Sequence, residues 1–143
     1  MAVSALNTGG RDDCLAWLVE RIKENGFDLR TENLPARVGG FSSWYDQAIF
    51  INRQWQDRPE FPFLLAHELG HLLNGDREIN YFTMATVRLK SERQANIIAI
   101  ELMREFARDY DLRFAGPYQF AASFGIPADL DYLITNSPNQ WRR

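Results

Sequence analysis

The amino-acid sequence predicts an α+β fold that is mostly helical, with a short antiparallel sheet of about three strands. Stretches with apolar residues at helical spacing flank a region, residues 34–52, that is rich in β-forming residues. The 143 residues match the usual size of one domain, and no repeat, linker or low-complexity tract divides them. We therefore expect one domain over residues 1–143.

The first helix is predicted near the N-terminus. Asp12 or Asp13 can cap its start, and Asn25 with the glycine after it offers an end. The β region at 34–52 follows, and its most apolar run is residues 48–51.

Three further helical segments are predicted after the β region. Pro62 suits the first turn of a helix over about residues 62–74, which an Asn-Gly pair ends. A second strongly helical run covers about residues 91–105. A C-terminal helical segment is expected over about residues 117–136.

The C-terminal segment has the rhythm helix, glycine turn, helix, which is similar to the first two helices of a helix-turn-helix. Residues 127–137, however, contain Asp129 and Asp131 and no Lys or Arg. A surface that faces DNA phosphates would carry positive charge. We therefore expect a docking or packing element and no direct binding of nucleic acid.

Charge and composition exclude several classes of function. A formal charge of −3 gives no general attraction to nucleic acid or anionic lipid, and no apolar run is long enough to cross a membrane. The N-terminus lacks the pattern of a secretory signal, and the single Cys14 cannot form an internal disulfide. We expect a cytoplasmic protein.

The two histidines of the chain, His67 and His71, are four residues apart, with Glu68 between them. On a helix both imidazoles lie on one face and can reach the same metal ion, while Glu68 points near the open side of that metal. This is the H-E-x-x-H arrangement of zinc metallopeptidases. The alternative is a buried helix with an incidental glutamate. Gly70 suits a place where another backbone or a ligand comes close, or simply a tight helix crossing.

A catalytic zinc needs a third protein ligand, which must be a carboxylate because no third histidine exists. Glu92 is preferred, because it begins a helical run and shares a face with small or apolar residues. Asn96, one turn later, can orient a ligand by a hydrogen bond. The alternative is that Glu92 is a solvated glutamate in a first helical turn.

Other acidic and polar residues are weaker candidates for this site. Glu101 faces away from Glu92, and Glu78 is so close to His71 that the chain would have to fold straight back. Zincins often use a second group, besides the metal, to stabilise the oxyanion formed when water attacks the peptide carbonyl. Tyr45, Tyr81 and Arg88 are candidates for it by proximity in sequence only, and for each of them the structural role is the favoured alternative.

The pentapeptide at 67–71 and the segment 92–103 resemble the ImmA/IrrE metallopeptidases, small zincins of bacteria and their phages. The resemblance covers roughly residues 34–103 and implies a minimal, gluzincin-like zincin domain. Members of the family commonly continue Leu-Leu-Met-Pro, whereas Met103 is followed here by Arg-Glu.

Carried over by position, His67, His71 and Glu92 would bind one Zn²⁺, and Glu68 would be the catalytic base that activates a zinc-bound water. A site of this kind also accepts Mn²⁺ or Fe²⁺. The resemblance further implies an endopeptidase that cleaves a helix-turn-helix repressor and so relieves repression. The alternative function is a non-catalytic binding module, an antirepressor or toxin-like partner of such a regulator, in which the metal only stabilises the fold. The oligomeric state is not predicted.

Overall fold

A computed structural model of the protein describes residues 7–135. In this range the chain forms five α-helices and three strands, joined by loops and short 3₁₀ turns. In chain order the elements are α1 (Thr8–Glu24), β1 (Asp28–Glu32), β2 (Gly40–Ser43), β3 (Ala48–Asn52), α2 (Phe61–Leu73), α3 (Arg93–Asp109), α4 (Pro117–Phe124) and α5 (Asp131–Ile134). The predicted α+β class, mostly helical with three strands, is confirmed.

The sheet has the strand order β1-β3-β2 and is mixed. β2 runs antiparallel to β3, with Phe41 opposite Phe50, whereas β1 runs parallel to β3, with Leu29 opposite Ile49. The expectation of a purely antiparallel sheet is therefore wrong. β1 lies before the predicted β region, and its residues Asp-Leu-Arg-Thr-Glu alternate between exposed and half-buried. A charged edge strand of this kind lacks the apolar pattern by which strands are found in a sequence.

The first part of the predicted β region is a loop. The buried Asn52, at the end of β3, donates hydrogen bonds from Nδ2 to the backbone oxygens of Leu34, Pro35 and Val38, at 3.1, 3.0 and 2.7 Å. One amide thus fixes the path of the chain between β1 and β2. The strands of this region are confined to Gly40–Ser43 and Ala48–Asn52.

α1 begins earlier than the sequence indicates. Asn7 is its N-cap and accepts a hydrogen bond from the backbone N–H of Gly10 at 2.7 Å, so Asp12 and Asp13 lie inside the helix. An asparagine cap satisfies one of the free N–H groups of the first turn, which offsets the low helix propensity of the two glycines that follow it. Asn25 is the C-cap, as its sequence position indicates.

α2 runs through the centre of the molecule. Every residue of α2 except Leu73 is buried, and the helix packs against α3, both strands β2 and β3, α1 and α4. A Cβ atom added to Gly70 would lie 2.8 Å from the backbone oxygen of Ala95 in α3. Glycine therefore permits the close approach of α2 and α3 on which the candidate site depends.

The C-terminal segment packs on this core. Arg104 of α3 donates from Nη2 to the backbone oxygen of Ile134 at 2.7 Å, and Arg88 forms a 2.6 Å ion pair with Asp129. α4 contacts α2, and α5 contacts α3. In the part of the chain that the structure describes, no helix combines the length and the apolar character needed to cross a membrane.

Candidate metal centre

α2 carries His67, Glu68 and His71 into the interior. The helical spacing brings the two imidazole rings to 4.7 Å between centroids, at an angle of 87° between their planes. His67 and Glu68 are fully buried, and His71 nearly so. The Phe82 ring lies 5.1 Å from the His67 ring and covers it on one side. The two histidines therefore have fixed positions on one face of the helix.

Glu92 meets both histidines from the turn just before α3. It ends a 3₁₀ turn, Lys90–Glu92, and directly precedes α3. Its Oε1 lies 3.0 Å from Nε2 of His67 and 2.8 Å from Nε2 of His71. One nitrogen from each histidine and one oxygen from Glu92 lie within 4.8 Å of one another. The structure thus brings together all three residues that the sequence proposes as metal ligands.

Asn96 fixes the orientation of His67. Its Nδ2 donates to the backbone oxygen of Val87 at 3.0 Å, which leaves Oδ1 to face Nδ1 of His67 at 2.8 Å. Because Oδ1 only accepts, we assign the proton of His67 to Nδ1. Nε2 is then the nitrogen that faces Glu92, where it donates to Oε1 when protonated and would bind a metal when deprotonated.

Asp76 plays the same part for His71, and sequence reasoning missed it. Its Oδ2 accepts a 2.8 Å hydrogen bond from Nδ1 of His71, and its backbone N–H donates to the His71 carbonyl at 3.0 Å. The chain folds straight back here because Gly75 adopts a positive φ of 76°. The Asn-Gly pair was the available signal. The same reversal weakens the sequence argument against Glu78, although no hydrogen bond joins Glu78 to the cluster among the described residues.

Charge stabilises this cluster. Burial by itself lowers the pKa of His71, but the hydrogen bond to Glu92, the charge of Glu68 and the hydrogen bond to Asp76 raise it to about 9. Burial raises the pKa of Glu92, but its hydrogen bonds with His67 and His71 and their charges lower it to about 2. The site therefore favours an ionised carboxylate and a positive charge beside it.

Glu68 has a different environment. Neither of its carboxylate oxygens has a partner at ordinary hydrogen-bond distance within the described residues, although the Ser42 hydroxyl comes close enough to favour the charged form weakly. Burial raises the pKa of Glu68 above its usual range, and the charges of His67 and His71, followed by the nearby hydroxyl of Ser42, oppose that rise. An unpaired buried carboxylate is costly in a folded protein. A buried carboxylate in this position, beside two histidines, is suited to accept a hydrogen bond or a proton from a molecule that enters the site.

The three proposed oxyanion stabilisers are not joined to the cluster. Tyr45 lies in the turn after β2 with 78% of its surface exposed, and Tyr81 is 53% exposed with its ring 5.0 Å from that of Phe41. Arg88 pairs with Asp129. Among the described residues, no hydrogen bond or ion pair links any of the three to His67, His71 or Glu92. Their role stays a prediction.

A cleft of about 340 Å³ reaches the cluster from the surface. Its walls are the loop 75–80, which contributes Asp76, Arg77, Glu78 and Asn80, and the turn that carries Ser91 and Glu92; His71 lies at its base. A small ion or the polar part of a peptide can therefore approach Glu92 and His71 from this side.

The donor set suits a divalent metal. Two imidazole nitrogens and one carboxylate oxygen converge, each histidine has its other nitrogen held by an acceptor, and an unpaired carboxylate lies next to them. A buried site of this kind, between a helix and the turn before the next helix, is typical of metallopeptidases. The model of the peptidase M78 family, described as the IrrE N-terminal-like domain, matches residues 22–129.

The chain belongs to this peptidase M78 family, which confirms the resemblance to the ImmA/IrrE proteins. Family and site together support a metallopeptidase. Comparison with curated proteins and with solved structures found no match.

Proposed function

We propose that this protein is a zinc-dependent endopeptidase that cleaves a helix-turn-helix repressor in the cytoplasm and thereby relieves repression. The observation that carries the catalytic part is the unpaired, fully buried carboxylate of Glu68 next to the His67–His71–Glu92 cluster. The repressor as substrate rests on the resemblance to the ImmA/IrrE peptidases.

His67, His71 and Glu92 would hold the metal. Imidazole nitrogens suit zinc, and Asn96 and Asp76 keep both rings in the binding orientation. When bound, zinc polarises the peptide carbonyl and makes a water molecule more acidic. Because Nδ1 of each histidine is hydrogen-bonded to one of these acceptors, each ring presents Nε2, and not Nδ1, to the metal.

Glu68 would move the proton. A carboxylate oxygen of Glu68 accepts a proton from the attacking water and later gives it to the nitrogen of the leaving amine. Burial raises the pKa of Glu68, so the proton is held more firmly than on a solvated glutamate. The surrounding apolar residues of α2 exclude bulk water from this transfer.

We infer that the substrate chain adds at the outer edge of β2, which requires the groups that leave Ser42 only 3% exposed to move aside. Phe82 covers the start of that edge: its N–H donates to the Gly40 oxygen at 2.6 Å, and its own oxygen accepts from the Gly39 N–H at 2.8 Å. The described residues show no further pairing along the outer edge of β2 at Ser42. An extended peptide that added there as another strand would bring a peptide bond close to Glu68, which the Ser42 hydroxyl approaches.

The decisive experiment uses Glu68→Gln beside the wild-type protein. The repressor encoded beside this chain, where one is present, is mixed with each protein, and its mass is followed by mass spectrometry. We expect cleavage by wild type and none by Glu68→Gln, while native mass spectrometry finds one metal on both. Glu105→Gln, an exposed glutamate of α3, is the matched control and should cleave normally. Equal cleavage by wild type and Glu68→Gln would refute the mechanism.

The deep burial of the whole cluster favours a second candidate function. His67, Glu68, His71 and Glu92 are all at least nine-tenths buried, so a metal there would also tie α2 to α3. A metal-stabilised binding module would form a complex with the regulator without changing its mass. The same mixing experiment, read by native mass spectrometry, therefore distinguishes the module from the peptidase.

A further inference from the structure

A second cavity adjoins the segment that leads into α3. Its volume is about 410 Å³, within the range of sites for small molecules. The residues before α3, the first turns of α3 and the segment that leads into α5 form its walls. We call it the α3–α5 pocket; the residues that matter here are Arg88, Lys90, Arg93, Asn96, Asp129 and Tyr132.

The α3–α5 pocket is positively charged, although the chain as a whole carries a formal charge of −3. Three cationic side chains face one carboxylate, Asp129, which pairs with Arg88 at 2.6 Å. Among the described residues, no carboxylate forms an ion pair with Lys90 or Arg93. Two cations are thus available to an anion that enters the pocket.

Aromatic and apolar groups adjoin these charges. The guanidinium of Arg93 lies 5.6 Å from the centroid of the Tyr132 ring, a cation–π distance. Tyr132 is 50% exposed and Leu89 57% exposed, and both line the same cavity. A ligand can therefore place a charged group on the cations and a flat or apolar group on these two side chains.

We propose that the α3–α5 pocket binds a small molecule that carries a phosphate group. Lysine and arginine side chains are the usual partners of phosphate oxygens, and the pocket offers both types on one short segment. The phosphate contacts Lys90 and Arg93, and the rest of the molecule lies against Tyr132.

The α3–α5 pocket shares one residue with the candidate metal centre. Asn96 forms the inner wall of the pocket, and the same residue orients His67. The pocket is separate from the cleft over His71, because the two have no lining residue in common. A ligand here therefore does not occupy the place of a peptide substrate.

The test is titration of the purified full chain, followed by calorimetry and by amide NMR shifts. The probes are adenosine 5′-monophosphate, inorganic phosphate and adenosine. We expect adenosine 5′-monophosphate to bind with shifts at residues 87–93 and 129–132, and adenosine not to bind. Inorganic phosphate that binds as tightly as the nucleotide would identify the free ion as the ligand. Absence of binding by both phosphates, or equal binding of adenosine, would overturn the proposal.

Three variants separate this pocket from other anion sites, including the metal. Lys90→Gln should weaken binding of the nucleotide about tenfold, because one charge-assisted contact is lost. Asp129→Asn should tighten it several-fold, since Arg88 becomes available; this gain cannot come from misfolding. Lys23→Gln, an exposed lysine at the end of α1, is the matched control and should bind as wild type. Unchanged binding in both Lys90→Gln and Asp129→Asn would place the anion elsewhere.

Discussion

The buried polar side chains on the two sides of α2 differ in their hydrogen-bond partners. Towards α3, His67 and His71 have a partner at each ring nitrogen, and Glu92 is hydrogen-bonded to both. Towards β2, both oxygens of Glu68 lack a hydrogen-bond partner among the described residues. The pKa of Glu92 is accordingly lowered to about 2, whereas the pKa of Glu68 is raised.

This contrast separates two tasks that glutamate can perform. Both carboxylates are buried, so burial alone does not set their protonation; the partners do. A carboxylate held ionised between two imidazoles is suited to binding a cation. A carboxylate without partners is suited to taking up and releasing a proton. The following changes test this division, from the largest expected effect to the smallest.

Removing the carboxylate of Glu92 should have the largest effect on metal binding. In Glu92→Ala we expect metal affinity to fall by more than the roughly 10–100-fold typical of a lost orienting partner, because a direct ligand is removed. Native mass spectrometry of the purified protein measures the metal content. Glu105→Ala, which removes an exposed glutamate of α3, is the control and should keep its metal. Full occupancy in Glu92→Ala would show that Glu92 is not a ligand.

Removing the residues that orient the histidines should weaken the site less. Asp76→Ala and Asn96→Ala are each expected to lower metal affinity by roughly 10–100-fold, because one ring of the pair is then free to turn. Competition with a metal-sensitive dye measures the affinity. Asp57→Ala, in an exposed loop, is the control. An unchanged affinity in Asp76→Ala would mean that packing alone orients His71.

Separating α2 from α3 should destabilise the fold that holds both sides in place. In Gly70→Ala the new methyl meets the backbone oxygen of Ala95, and we expect a loss of about 1–3 kcal/mol in unfolding free energy. Urea denaturation measures it. Gly9→Ala, in the first turn of α1, has only an ordinary 3.6 Å contact and should be neutral or stabilising by up to about 1 kcal/mol. Equal stabilities would show that α2 can move away from α3 at no cost.

The thiol of Cys14 is a third buried acidic group whose pKa can be compared with those of Glu92 and Glu68. Burial raises the pKa of its thiol to about 12, and Arg11 opposes this only weakly. The folded pKa exceeds the reference value of 9.0, so its contribution to stability is complete below pH 9.0 and is lost as the pH rises towards 12. Iodoacetamide at about pH 8 should label Cys14 only in the unfolded protein. Rapid labelling of the folded protein would contradict this.

Local patterns predicted the centre of the site well. The spacing of His67 and His71 and the apolar sequence around them specify a buried helix with both rings on one face. Glu92 and Asn96 were found because they share an inward-facing side of one predicted helix. Each of these inferences needs only the geometry of a single helix, which the sequence determines over a few turns.

Long-range pairing was less predictable. β1 joins β3 in parallel, and nothing in the charged sequence of residues 28–32 indicates that partner. Phe82 pairs with Gly40 across more than forty residues and covers His67. Both contacts depend on which distant segments pack together. The spacing of apolar residues within one segment does not predict its partner.

The sequence by itself determined that His67 and His71 share one face of a helix, because helical spacing fixes which side chains lie together, and it named Glu92 as the candidate third ligand. Only the tertiary structure decided which groups surround them: that Asp76 returns to His71, that Asn96 is held by Val87, and that no residue in the range 7–135 gives Glu68 a hydrogen bond of ordinary length. The physical reason is that a side chain's position follows from its own helix, whereas its protonation and orientation follow from atoms that other segments bring to it.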